Sequence, residues 1–345
     1  MPYFHAAASA AASETHPARD TIGVLIVNLG TPDSPSYWAV QRYLRQFLSD
    51  RRVIDTSRLL WLPLLYGVVL PFRPFRTARN YRKIWLPEGS PLAVYSSRLA
   101  AKVAALLQAS LKVPVRLELA MSYGNPRIES AVQSFAAQGV TKLMVLPLYP
   151  HYCSSTTGSV FDGASRALQR WRYLPEFRFI NDYHDDESYI DALTARIRRH
   201  WSASGESSHL LFSYHGIPAA YVAKGDPYQR QAEATTRLVV ASLDLRENQW
   251  SHCYQSRFGK VPWLQPYTID TIKQLADRGV RKLTVVSPSF AVDCLETLEE
   301  VAMEYRDRFL QWGGERLTLV PCLNDDDDHA AALAKLLKSR MHGWA

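Results

Sequence analysis

His215 and a row of three glutamates are the residues of this sequence whose types and spacing suit chemistry. His215 follows an apolar run within residues 212–218 (FSYHGIP), where a short strand gives way to a turn. A lone histidine is more often structural than catalytic. In sheets of alternating strands and helices, however, ligands sit beyond the carboxyl ends of strands, and such turns carry function out of proportion to their number. An imidazole there titrates near neutrality, so it suits proton transfer or metal ligation. Glu296, Glu300 and Glu304 recur at i, i+4 and i+8. A helix would line them on one face. Spacing alone favours a solvated face offset by Arg306 and Arg308; the alternative is a carboxylate ladder that attracts and passes on a hard cation. Histidine with carboxylate can hold a borderline divalent metal such as Fe²⁺ or Zn²⁺.

A third group is aromatic. Residues 255–264 (QSRFGKVPWL), with Trp85, Tyr123, Tyr149 and Tyr152, offer flat surfaces beside the same class of turns. Such residues are usually core. A wide, flat ligand would need these walls, with Arg or Lys reaching its acidic substituents.

Other chemistries lose their prior. There is no Gly-x-Gly, no phosphate-binding Gly-x-x-x-x-Gly-Lys-Ser/Thr, no His-Glu-x-x-His and no Gly-x-Ser-x-Gly. The four cysteines lie at 153, 253, 294 and 322, without a Cys-x-x-Cys pair, and read as separate reduced thiols. The net charge of +7 is spread without a Lys/Arg run, which argues against nucleic-acid binding but permits an acidic ligand or an anionic membrane surface. Residues 325–328 are all Asp and are followed by His329; a solvated cap for the next helix explains them better than a metal site.

The elements that must position these groups are strands alternating with helices. Residues 22–27 (IGVLIV) and 210–214 (LLFSY) are buried-strand runs, each followed by a Gly- and Pro-containing turn. Residues 139–146 (GVTKLMVL) and 279–286 (GVRKLTVV) echo one another, each after a helical stretch, 127–138 and 268–278. Two such echoes imply a duplicated α/β unit with parallel sheets. At 345 residues the chain is long for one core. We expect a tail at 1–20, an N-terminal half at 21–186, a connecting helix and joint at 187–208, and a C-terminal half at 209–338.

The sequence resembles the bacterial ferrochelatases from about residue 21 to 337. The resemblance rests on residues 28–32 (NLGTP), 89–92 (GSPL), 123–126 (YGNP), 146–150 (LPLYP) with 155–158 (STTG), 213–218 (SYHGIP), 224–228 (KGDPY), 255–259 (QSRFG) and 293–297 (DCLET). It implies two similar Rossmann-like halves with parallel sheets and a central cleft, and an enzyme that inserts ferrous iron into protoporphyrin IX to give protohaem with release of two protons. It implies that His215 and Glu296 are the catalytic and metal-binding pair and that Glu300 and Glu304 lie on an acidic path. Leu29, Ser90, Tyr123, Tyr149, Ile217, Pro218, Ser256 and Trp263 fall on porphyrin-lining positions.

The sequence departs from the family at two points: Ser122 stands where Arg is common, and Cys294 where other members have His. Some members carry a [2Fe–2S] cluster on clustered C-terminal cysteines; with only Cys322 beyond residue 300, no cofactor is expected, iron being a substrate. The alternatives are a chelatase for coproporphyrin III, another tetrapyrrole or another metal such as cobalt, and a non-catalytic tetrapyrrole-binding protein.

Residues 59–72 are the most apolar stretch, 14 residues broken by Pro63, Gly67 and Pro71. That is shorter than the ~20 residues a spanning helix needs. Residues 59–75, with Arg73 and Arg76, are expected either to touch a membrane peripherally at the cleft mouth or to form a buried loop. Residues 1–20 lack the pattern of a signal peptide, and the expected location is cytoplasmic, with that peripheral contact at the inner face of the membrane.

Overall fold

The protein was analysed as a computed structural model that describes residues 21–205, 208–259 and 261–345. The expected tail at 1–20 lies outside the described residues. Among the described residues, eight strands form two four-stranded, all-parallel sheets. The first holds β1 (Ile22–Gly30), β2 (Val115–Tyr123), β3 (Lys142–Pro147) and β4 (Glu176–Phe179), in the order β2-β1-β3-β4. The second holds β5 (His209–His215), β6 (Trp250–Gln255), β7 (Lys282–Val286) and β8 (Arg316–Leu319), in the equivalent order β6-β5-β7-β8. The two echoes noted in the sequence occupy matching places, β1 with β5 and β3 with β7.

Parallel sheets are covered on both faces, so their inner strands must be apolar throughout. β1 obeys this: Ile22 and Val24–Val27 are wholly buried. β5 does the same with Leu210, Leu211, Phe212 and Tyr214, and only its two end residues, His209 and His215, are part-exposed. The strands run further than the apolar runs alone imply. β1 continues through Asn28 and Leu29 to Gly30, and β5 includes His215 itself. The helical stretches fall where expected, at Ile128–Ala137 and Thr268–Asp277.

The chain divides into two compact units, with a different partition from the sequence-based one. The first comprises the described residues up to Leu148, with Ser154–Asp182 and Asp325–Ala345; the second comprises Tyr149–Cys153 and Tyr183–Asn324. The stretch expected as a joint is the helix Glu187–Ser204, capped by Asp186, whose carboxylate accepts from the Ser188 and Tyr189 N–H groups. It packs against the helix Tyr228–Ser242 within the second unit. The last helix, Asp327–Arg340, returns to the first unit and packs against Pro91–Ser110. There the Lys102 ammonium donates to the Asp325 carbonyl (2.6 Å) and to Asp327 (2.7 Å). The acidic run therefore starts a helix, with Asp326 at its N-cap. Arg178 secures the other end by donating to the Arg340 and His342 carbonyls while its guanidinium lies 4.2 Å above the Trp344 ring.

Residues 58–84 depart most from expectation. The prolines do not break this stretch into a loop. It runs as helix Arg58–Leu64, a π-helical turn Leu65–Val69 and helix Leu70–Ile84, with Pro71 in the first turn of the last segment. A π-turn adds a residue to the helical cycle, which relaxes the ladder where a proline supplies no N–H. Among the described residues no helix is long and apolar enough to cross a membrane.

Gly30 closes β1 in a conformation open to glycine. Its φ is +104°, and an added Cβ would lie 1.7 Å from the Tyr123 carbonyl oxygen on the neighbouring strand. Gly30→Ala should destabilise the protein by about 3 kcal/mol or more, since both backbone strain and a backbone clash must be relieved. Urea denaturation measures this; an unchanged midpoint would mean that the β1–β2 pairing is looser than described.

Candidate active site

His215 takes part in three hydrogen bonds. Its backbone N–H donates to Ser289 Oγ (3.0 Å), and its carbonyl accepts from the Tyr228 hydroxyl (2.8 Å). Its ring Nδ1 is 2.6 Å from the Gly216 carbonyl oxygen. A carbonyl only accepts, so Nδ1 carries the proton and Nε2 presents a lone pair. No described residue bonds Nε2. Trp263 and Phe290 flank the ring at centroid distances of 6.4 and 6.1 Å. Gly216 lets the turn close: a Cβ there would meet the Gln255 carbonyl at 2.8 Å, the same oxygen that accepts the Gly216 N–H.

Gln255 joins this turn to the glutamates. It pairs with His215 across the β5–β6 ladder. Its side chain is buried; Nε2 donates to the Glu296 carbonyl (3.2 Å), and Oε1 accepts from Ser213 Oγ (2.7 Å). The helix of glutamates is not the α-helix expected from their spacing. Glu296–Tyr305 is a π-helix of ten residues, continued by the α-helix Arg306–Gln311. Extended π-structure is rare and gathers at functional sites.

The three glutamates do not share one environment. Glu296 is half-buried and Glu304 is exposed. Glu300 lies between them, half-buried and bonded on both oxygens: Oε1 accepts from the Ser256 N–H (2.9 Å) and the Tyr305 hydroxyl (2.5 Å), and Oε2 from Ser256 Oγ (2.6 Å). Burial pushes the Glu300 carboxyl above the usual range; the Ser256 and Tyr305 hydrogen bonds oppose that, Glu296 adds to it, and His215 lowers it. His215, Glu296 and Glu300 are thus within electrostatic reach of one another. The solvated-face alternative does not fit. Glu300 is not on a solvated face, and Arg306 pairs with Asp307 rather than offsetting the row.

A buried network anchors the start of this helix. Asp293 accepts from Thr297 Oγ1 (2.9 Å) and the Cys322 N–H on one oxygen, and from Asn324 Nδ2 (2.7 Å) on the other, while its own N–H donates to Asn324 Oδ1 (2.7 Å). Cys294, beside it, is buried, and burial pushes its thiol well up, so it is held as a neutral packing group.

The aromatic and porphyrin-lining positions divide between the units. Tyr149, Ile217, Pro218, Ser256 and Trp263 belong with His215 to the second unit, where Pro218 bridges to Trp263 through the backbone and the Leu264 N–H donates to Ile217. Leu29, Ser90 and Tyr123 belong to the first. Ser90 is buried as a helix cap, accepting from the Ala93 N–H, and Tyr123 is buried with its hydroxyl donating to Asp50 (2.7 Å). Four residues that hold the site received no role in the sequence reading: Gln255, Ser289, Tyr228 and Tyr305. Ser289 and Gln255 stand at strand ends on the ligand-bearing edge, where that signal was available. Tyr305 is five residues from Glu300, a spacing with no meaning in an α-helix.

Comparison with known proteins gives the family and the fold. A protein-family model described as Ferrochelatase matches residues 21–341. The ferrochelatase of Vibrio parahaemolyticus is 48% identical over 319 residues, covering 92% of this chain and 98% of that protein. Ferrochelatase 1 of Shewanella oneidensis is 46% identical over 322 residues, covering 93% and 96%. Among solved structures, SirB from Bacillus subtilis with Fe3+ superposes with a TM-score of 0.54 at 13% identity, covering 94% of this chain and 98% of that one. CbiX, titled the terminal enzyme for biosynthesis of sirohaem in denitrifying bacteria, gives 0.51 at 14%, covering 92% and 98%. At such identities the structures establish the fold alone.

Asp293→Ala would leave the Asn324 amide, the Thr297 hydroxyl and the Cys322 N–H without their buried acceptor. A loss of about 2–4 kcal/mol is expected in urea unfolding. A change below about 0.5 kcal/mol would show that this network does not anchor the π-helix.

Proposed function

The chain belongs to the ferrochelatase family, whose members insert iron into a porphyrin in haem synthesis, and from that premise we propose that His215 and Glu296 perform the insertion on protoporphyrin IX. The single observation supporting this assignment is the Gln255 link, which sets the open Nε2 of His215 and the Glu296 helix in one fixed frame.

Free porphyrin carries two N–H protons in its plane, and its nitrogen lone pairs converge inward. Iron enters when the ring is bent so that lone pairs point outward, at a cost of roughly 1–5 kcal/mol drawn from binding elsewhere on the substrate. Each proton leaves as the nitrogen keeps the bonding pair. His215 Nε2, whose lone pair is exposed by the Nδ1–Gly216 bond, takes a proton or meets the iron, and the Glu296 carboxylate supplies negative charge beside it. Glu300 and the exposed Glu304 continue from Glu296 as an acidic path. Ile217, Pro218, Trp263, Tyr149 and Ser256 offer wall surface around His215, and Leu29, Ser90 and Tyr123 are proposed porphyrin contacts of the first unit. Iron is the substrate, and the reaction needs no resident cofactor.

The apolar segment 59–75 supports a peripheral membrane contact. Leu59, Leu60, Phe72 and Phe75 are between 64% and 87% exposed, and Trp38 is 66% exposed. So many large apolar side chains exposed within one segment suit a surface that meets an apolar partner. Residues 58–84 carry six basic and no acidic residues, which suits an anionic surface. A protein docked there would draw its apolar porphyrin from the bilayer.

Anaerobic incubation with Fe²⁺ and protoporphyrin IX, followed by visible spectroscopy, tests the substrate; faster turnover of coproporphyrin III would replace it. His215→Ala should lose metallation, and Glu296→Gln should lower the rate by roughly 10²-fold or more, both with near wild-type melting temperatures. A His215→Ala protein that still made haem at the wild-type rate would remove the assignment. In flotation with anionic liposomes at low salt the wild type should co-float, and Leu59→Ser with Phe72→Ser should not; absence of wild-type flotation would remove the membrane contact.

A further inference from the structure

Glu300 has more partners than a relay carboxylate in water would need. A carboxylate offers about four lone-pair sites, and here three are filled, by the Ser256 N–H, the Ser256 hydroxyl and the Tyr305 hydroxyl. Both partners depend on unusual backbone. Tyr305 follows Glu300 by five residues. In an α-helix of 3.6 residues per turn that spacing points the two side chains to different faces, whereas the i→i+5 turn of a π-helix sets them one above the other. Ser256 has φ +64°, a left-handed conformation that a non-glycine residue seldom adopts, and it delivers both its N–H and its hydroxyl to the same carboxylate. The neighbouring Arg257 is turned away over the Tyr267 ring at 4.6 Å and forms no ion pair with Glu300.

We infer that Ser256 and Tyr305 are positioning residues that hold Glu300 as a fixed acceptor of protons, leaving one lone pair open on Oε2, enough for a proton but not for a two-oxygen clasp of a cation. This rests on reading Glu300 as part of the acidic path, and it says which cargo that member of the path takes. The step is a plain proton transfer. An N–H or imidazolium N–H bond breaks, its nitrogen keeps the pair, the Glu300 carboxylate becomes the acid, and the proton leaves through exposed Glu304 to water. The charged groups facing Glu300 are Glu296 on its own helix and His215 at the end of β5. Tyr305 is a buried phenol whose ring packs in the core beside Val301 and Phe309.

Tyr305→Phe keeps that ring and removes one donor. With Fe²⁺ and protoporphyrin as substrates, kcat should fall roughly tenfold, and the acid limb of its pH profile should move to higher pH, because a carboxylate that loses a donor holds its proton more tightly. KM for Fe²⁺ and porphyrin binding should stay within about twofold of wild type. Ser256→Gly, which suits the left-handed backbone, removes the second hydroxyl and should give the same fall in kcat and the same shift of the acid limb if Tyr305→Phe fails to fold; porphyrin binding is read on Tyr305→Phe alone, since Ser256 is itself a proposed porphyrin contact. Glu300→Gln is the reference. If it is impaired while folded Tyr305→Phe keeps a wild-type kcat and pH profile, the positioning role is overturned and the acidic path stands. If Glu300→Gln itself is wild-type, the path and the inference both fall. A several-fold rise in KM for Fe²⁺ at unchanged kcat in Tyr305→Phe would overturn the proton assignment in favour of iron.

Discussion

The side-chain amide of Gln255 donates to the Glu296 carbonyl while the Gln255 backbone pairs with His215 and accepts from Gly216. A histidine at the end of one strand and a carboxylate on a distant helix are thereby tied through one rigid residue. The amide is buried and bonded at both ends, its oxygen taken by Ser213, which is itself bonded to Thr268. Buried polar networks of this kind rigidify when every member is satisfied and cost dearly when one is not. The close approach at Gly216, the left-handed Ser256 and the Asp293 anchor each keep the helix and the strand ends in the register that this bond requires.

Much of the fold was legible because its signals are local. Parallel strands buried on both faces must be continuous apolar runs, so residues 22–27 and 210–214 announced themselves, and the echo between 139–146 and 279–286 revealed the duplication. His215 could be placed because the end of a strand can be read from where apolarity stops. The proposed lining positions rest on the resemblance alone, since nothing in their types separates a wall of a site from ordinary core.

The remainder depends on contacts that no short window contains. The π-helix at Glu296–Tyr305 and an α-helix share the same residue preferences, and what the sequence window lacks is the fit of Glu300 to Ser256, 44 residues away. The exposure of residues 59–75 could not be read from their apolarity, which serves a buried loop equally well. The partition of the chain was misread for a related reason: helix Asp327–Arg340 is an ordinary amphipathic helix, and its place was decided by Lys102, Arg178 and the face of Pro91–Ser110.

That returning helix sets the order in which the molecule can be finished during synthesis. The first unit begins at β1, yet part of its core is supplied by the segment from Asp325 onward. A nascent chain that has released both sheets still exposes the face of helix Pro91–Ser110 that Leu333, Leu336 and Leu337 help to bury in the finished protein. Domains usually complete in the order they leave the ribosome. Here the second unit is complete first, and the one begun earlier waits for a segment made after both sheets.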